Sequence, residues 1–183
     1  IDQCAICVAL RHHADIVMGV VYGPRTGEMF TAQKGHGAFR NGKPIHVSDR
    51  PFANAVVCTA FSVYHKEYTD ICADIIVSLF RQCNDFRRFG ACAPELCYLA
   101  MGRCELYFEY MLGPWDFAAA SLVVTEAGGI ISDLHGQPLS CLEHKGVIAA
   151  NSAENFQKLL ETVQGRMSLT SSPLSRGEGS NGL

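Results

Sequence analysis

An excess of positive charge is missing from this sequence. Lysine and arginine number 15 against 18 aspartates and glutamates, for a net charge of −3 over 183 residues. Proteins that grip nucleic acid through its phosphates need a basic face, so this balance argues against nucleic acid as a partner. Long apolar runs are missing too. No stretch approaches the roughly 18 residues that a membrane-spanning helix needs, so no membrane is expected. Nothing has the pattern of a signal peptide. The first residue is Ile1 rather than Met, and the chain is therefore expected to start inside a longer protein. No internal repeat is visible.

Cysteine, by contrast, is plentiful. Nine in 183 residues is a high and odd number, which does not suit a secreted disulfide framework. Cys4, Cys7, Cys58, Cys72, Cys83, Cys92, Cys97, Cys104 and Cys141 mostly fall in apolar runs, where a free thiol behaves as a small hydrophobe. Cys4 and Cys7 form a C-x-x-C. In a strand, however, that odd offset sends the two thiols to opposite faces, and no second pair exists to complete a zinc site. The preferred reading is a reducing cytoplasm with free thiols, and a zinc or redox protein stands a distant third.

Residues 4–10 and 16–22 are apolar runs around the turn His12-His13-Ala14-Asp15, a β-hairpin pattern. His12 and His13 read as solvated turn residues. A strand over 28–33 follows, and Asn41-Gly42 is a type I′ hairpin signal ahead of 45–47. Together these make an antiparallel meander. Lys34-Gly35-His36-Gly37 has no helix after it, so it reads as turn chemistry rather than a phosphate loop.

From Ala55 onward strands and helices alternate. A strand is predicted over 55–60 and a helix over 68–83, with Ile71, Ile75 and Leu79 at helical spacing. A strand over 86–89 precedes a helix from Pro94 to Met101, where proline is tolerated in the first turn. A strand over 106–109 leads to the central stretch. Strands at 130–132 and 147–150 come next, and Phe156, Leu159, Leu160 and Val163 give the last helix its apolar stripe. Beyond Gln164 the composition turns to Ser, Gly and Leu. One domain over 1–166 and a disordered tail over 167–183 are expected.

The central stretch is G-P-W-D-F-A-A-A-S-L-V-V-T-E-A-G-G-I-I-S-D, from Gly113 to Asp133. Proline just ahead of the run and glycine just past it mark the two ends of a helix. Phe117, Ala118, Ala119, Ala120, Leu122, Val123 and Val124 leave almost no polar face, so the helix should be buried. Asp116 then sits at its mouth, where the macrodipole favours a carboxylate. A structural cap beside a core-packed Trp115 and a functional carboxylate are both open at this point. Likewise, the small residues of Gly90-Ala91-Cys92-Ala93 ahead of the Pro94 helix either leave backbone N–H groups free for an anion or make only a tight turn. Glu109 is either a solvated strand end or a site residue.

W-D-F-A-A-A-S-L-V-V-T-E-A-G-G resembles the second signature of the inositol monophosphatase family, magnesium-dependent sugar phosphatases. The segments G-V-V-Y-G-P-R-T-G-E-M-F-T-A-Q-K-G-H-G-A-F-R-N-G-K-P-I-H-V-S from Gly19, R-R-F-G-A-C-A-P-E-L-C-Y-L-A-M-G-R from Arg87 and G-V-I-A-A-N from Gly146 are similar to the same family, in its order. The family's first signature, D-P-x-D-G-T, and the Glu upstream of it are absent.

The resemblance implies a layered α/β sandwich of the sugar-phosphatase type, with mixed, largely antiparallel sheets between helices. It implies magnesium-assisted hydrolysis of a phosphate monoester, with Asp116 as a metal-binding carboxylate. On the same pattern the backbone at Gly90 and Ala91 meets the substrate, Ala91 standing where the family usually carries Ser or Thr, and Glu109 binds substrate hydroxyls. Arg87 is read as a guanidinium fork near the phosphate, or as a partner for Glu109 across the pocket. The implied substrate is inositol monophosphate or a similar phosphorylated polyol. Histidinol phosphate, a fructose bisphosphate and a nucleotide phosphate stay open. A homodimer is implied as well. The natural protein is expected to extend upstream by a Glu-bearing helical region and a D-P-x-D-G-T turn. The alternative is a chain without catalysis, acting as a binding or dimerisation partner.

Overall fold

The computed structural model describes residues 3–170. The first part of the chain folds into the predicted meander. Strands β1 (Ile6–His12), β2 (Asp15–Gly23), β3 (Glu28–Gln33), β4 (Ala38–Arg40) and β5 (Lys43–Pro44) form a sheet in sequence order, and every neighbouring pair is antiparallel. Its turns use the residues that tolerate positive φ, His13 at 55° and Asn41-Gly42 at 49° and 75°. Alternation along the strands gives the sheet two faces. Val21, Phe30 and Ala32 point into the core. Ile6, Val8, Leu10, Met18 and Met29 form an apolar face that is exposed.

The second sheet is mixed. It contains β6 (Val56–Ala60), β7 (Asp85–Arg87), β8 (Leu106–Leu112), β9 (Ile130–Ser132) and β10 (Lys145–Ala150), in the order β7-β6-β8-β10-β9. Strand β6 runs parallel to β7 and β8, whereas β10 is antiparallel to β8 and β9. Helices α1 (Thr69–Phe80), α2 (Cys92–Ala100), α3 (Pro114–Glu126) and α4 (Ala153–Thr170) complete the fold.

Period-two alternation on β6 and β8 divides the packing. Cys58 and Tyr107 face α2 and α3, which bury Leu96, Leu99, Phe117 and Val123 between the two sheets. Val57 and Leu106 face the other way and pack on Ile75 and Leu79 of α1 and on Leu159 and Val163 of α4. The layers are thus sheet, helix pair, sheet, helix pair, the sandwich expected from the sequence. Strand β2 lies so close to α3 that a Cβ on Gly19 would come within 2.4 Å of the Ala119 carbonyl oxygen. Glu126, at the end of α3, clasps the Lys34–Gly37 turn by accepting from the N–H groups of Gly35 and Gly37, each at 2.8 Å. That turn is structural, as read.

Several boundaries move. Helix α3 starts at Pro114 with Gly113 as its N-cap, so Asp116 stands within the first turn instead of ahead of it. Strand β8 continues to Leu112, which places Glu109 in mid-strand. Helix α1 stops at Phe80. Helix α4 runs past the expected end of the domain at 166, because Met167 continues its apolar stripe onto the second core. The rest of the expected tail, 171–183, lies outside the described residues. All nine cysteines are free. Among the described residues no helix is long and apolar enough to cross a membrane.

Candidate active site

A cleft of about 800 Å³ opens beside the N-termini of α2 and α3. Its walls bring together Cys7 from β1, Arg88, Gly90 and Ala91 from the turn before α2, Glu109 from β8, and Trp115 and Asp116 from α3. Four of the five residues singled out in the sequence therefore share one cavity.

Asp116 closes the helix start and also faces the cleft. Its Oδ2 accepts the Gly113 N–H at 2.9 Å, a back-bond that closes the first turn of α3. The side chain also lines the cleft, where its charge helps to raise Glu109 and the Cys7 thiol. Trp115 is not core packing. It is 68% exposed and meets His144 edge-on, with ring centroids 5.2 Å apart, on the cleft rim. Burial on this face of the helix begins only at Phe117, which leaves Trp115 on the open side.

Glu109 points into the cleft from a strand whose backbone is paired on both sides, opposite Ala60 and Val147. Burial is the main cause that pushes its carboxyl up to about 7, with the negative charges of Glu95 and Asp116 adding to it. The Tyr107 hydroxyl, bonded to Glu109 Oε2 at 2.7 Å, and the nearby Arg88 charge act in the opposite direction. Glu109 is thus a carboxyl able to donate or accept a hydrogen bond near neutral pH.

The turn before α2 differs from its sequence reading in two ways. Gly90 adopts φ 94°, a left-handed conformation that favours glycine. Its N–H, however, is not free for an anion: Glu95 Oε1 accepts it at 2.7 Å and the Phe89 N–H at 2.8 Å. Arg87 is not brought to the cleft either. Its guanidinium bonds the Asp85 carboxylate and the Phe86 carbonyl along its own strand. Neighbouring residues on extended backbone face opposite ways, so Arg88 is the one that reaches the cavity. The pairing of Arg87 with Glu109 is therefore replaced by an influence of Arg88 on Glu109.

Sequence reasoning missed Arg88, Tyr107 and Glu95. Tyr107 carried a usable signal, since residues two apart on a strand share a face. The choice between adjacent arginines carried none.

The donors present do not by themselves fit a magnesium ion. Among the described residues no group of three or more His, Cys, Asp or Glu could hold a metal. Asp116 and Glu109 already have one oxygen each engaged, to Gly113 and Tyr107. Magnesium takes a near-octahedral shell of oxygens.

Comparison with known proteins places this arrangement in context. The model of the inositol monophosphatase family matches residues 1–168. The Nus factor SuhB of Vibrio cholerae is 37% identical over 161 residues, which cover 87% of this chain and 60% of that protein. The Nus factor SuhB of Escherichia coli is 42% identical over 133 residues, covering 72% of this chain and 50% of that protein. The chain thus spans about half to three-fifths of the length of these curated relatives. Among solved structures, the inositol monophosphatase from Anabaena superposes with a TM-score of 0.80 at 27% identity, covering 90% of this chain and 65% of that one. The extragenic suppressor protein SuhB from Bartonella henselae superposes equally well, with a TM-score of 0.80 at 32% identity over 87% of this chain and 61% of that one.

Proposed function

The chain belongs to the inositol monophosphatase family, and on that premise we propose that it carries the substrate-recognition half of a phosphate monoester hydrolase acting on inositol monophosphate or a similar phosphorylated polyol. One observation supports this most. Asp116, Glu109, Arg88 and the Gly90-Ala91 turn come from separate elements yet converge on one cleft.

Each residue has a distinct task in this reading. Glu109, with its carboxyl near neutrality, hydrogen-bonds a substrate hydroxyl. Arg88 adds positive charge beside it and attracts the phosphate. Trp115 and His144 border the mouth, where the leaving group enters. Ala91 meets the substrate through its backbone, without the hydroxyl that the family usually places there. Magnesium supplies charge neutralisation at the phosphoryl group when bound. Asp116 would be one of the carboxylates that hold it. A homodimer in the cytoplasm completes the proposal, and a reducing compartment suits the nine free thiols.

A second reading is favoured by the shortage of metal donors among the described residues. The curated relatives are named Nus factors, and this chain could act as such a factor, or as another non-catalytic binding partner, on the same fold. Magnesium-dependent phosphate release from inositol monophosphate by the full-length protein decides between the two. Turnover supports the hydrolase. Absence of turnover on inositol monophosphate, histidinol phosphate, fructose bisphosphate and nucleotide phosphates alike leaves the binding role.

A further inference from the structure

Glu95 is an acidic side chain that the proposed reaction does not use, yet it is only 1% exposed. It lies in the first part of α2, whose N-cap residue Ala91 makes no side-chain cap bond. Its Oε1 accepts two backbone N–H groups, Phe89 at 2.8 Å and Gly90 at 2.7 Å. Its Oε2 is buried and has no hydrogen-bond partner. Burying a carboxylate with one oxygen unpartnered costs stability. An apolar residue and a conventional Ser or Asp cap at position 91 would close this helix at less expense. The arrangement achieves something a cap cannot. It reaches back past the helix start and fixes the turn that forms the cleft wall.

Apart from the Phe89 ring, which meets Tyr98 edge-on with centroids 5.3 Å apart, that turn has little else to define it. Phe89 and Gly90 are exposed, and a Cβ built on Gly90 would meet nothing within 4 Å. Gly90 is thus free of neighbours that could impose its φ of 94°. The two charge-assisted bonds to Glu95 impose it instead.

We infer that Glu95 is a positioning residue: by drawing the Phe89 and Gly90 amides inward, it sets the Gly90-Ala91 backbone on the cleft wall in the shape that receives the substrate's polyol portion. The positioning of the turn rests on geometry alone, and its consequence for substrate rests on the hydrolase reading above.

The test uses the full-length protein with Glu95→Ala and Glu95→Gln. Gln keeps an oxygen in the Oε1 position and so preserves both bonds. Amide hydrogen exchange at residues 89 and 90 should quicken at least about tenfold in Glu95→Ala, since charge-assisted bonds are lost. Exchange in the cores of β8 and α3 should not change, and Glu95→Gln should stay near wild type. With magnesium, Glu95→Ala should raise KM for the polyol phosphate about tenfold while kcat holds. KM for phenyl phosphate, which has no hydroxyls to recognise, should stay the same. Unchanged exchange at 89 and 90, or quickened exchange throughout the molecule, overturns the positioning role. So do equal KM changes for both esters. If the wild-type protein hydrolyses neither ester, the hydrolase reading fails, and the exchange pattern still decides whether Glu95 positions the turn.

Discussion

Tyr107 donates its hydroxyl to Glu109 Oε2 at 2.7 Å, and both side chains project from the same face of β8 into the helix–sheet interior. The phenol is fully buried and its own proton is held well above the ordinary range, mainly by burial. It therefore acts as a fixed donor at any working pH. Opposed to it, burial and the charges of Glu95 and Asp116 favour the protonated carboxyl. Glu109 is the balance point of the cleft.

That balance has a sign. Glu109 holds its proton more tightly in the folded chain, about 7 against an ordinary 4.5. Its contribution is thus most favourable below about 4.5 and is lost as pH rises to about 7. Glu109→Gln should remove that decline, which amounts to at most about 3 kcal/mol. Thermal melts of both proteins between pH 4 and 8 check it, and parallel curves would dismiss the coupling. Tyr107→Phe should raise the Glu109 carboxyl further, because a bond favouring the charged form is gone.

The two adjacent arginines separate cleanly. Arg87→Ala loses a surface pair with Asp85, worth about 0–1 kcal/mol, and a bond to the Phe86 carbonyl, and should leave hydrolysis by the full-length protein unchanged. Arg88→Ala removes the guanidinium from the cleft. Turnover per KM should fall about ten- to a hundredfold, the range for a lost charge-assisted bond. Steady-state kinetics on the two variants suffice. Equal losses, or none for Arg88→Ala, would return Arg88 to the surface.

The sequence was most legible where pattern and period agree. The buried helix after Gly113, the hairpin at Asn41-Gly42 and the meander all follow from local rules, and Asp116, Glu109, Gly90 and Ala91 line one cleft. What stayed hidden depends on direction. The face on which Arg87 or Arg88 lies is set by the register of β7 against β6, which composition does not encode. The amides of Gly90 looked available until Glu95, inside the following helix, was seen to reach back to them. The exposed Trp115 shows the same limit, since a helix rich in apolar residues leaves one of its largest side chains on the open side.

Glu105 carries a structural prediction. It is fully buried and accepts from Ser48 Oγ at 2.8 Å, Arg50 at 3.1 Å and the Val56 N–H at 2.8 Å. These bonds pin the crossing from the first sheet to the second. Glu105→Ala should cost about 2–4 kcal/mol, since three donors lose their partner together. The shift in denaturant midpoint measures it, and a loss under about 0.5 kcal/mol, the range of an ordinary surface change, would mean that the crossing is held by packing alone.

The central claim is that Asp116 serves the reaction as well as the helix. Asn caps a helix about as well as Asp, so Asp116→Asn should keep the fold, with a few tenths of a kcal/mol lost from the charge–dipole interaction. If Asp116 holds magnesium as proposed, the neutral amide takes a full negative charge away from the ion, so turnover should fall by orders of magnitude. The decisive measurement is magnesium-dependent phosphate release by full-length Asp116→Asn, taken with its melting temperature on one preparation. A variant that melts like the wild type and is nearly inactive is the predicted result. One that melts like the wild type and remains fully active would contradict it and leave Asp116 as a cap alone.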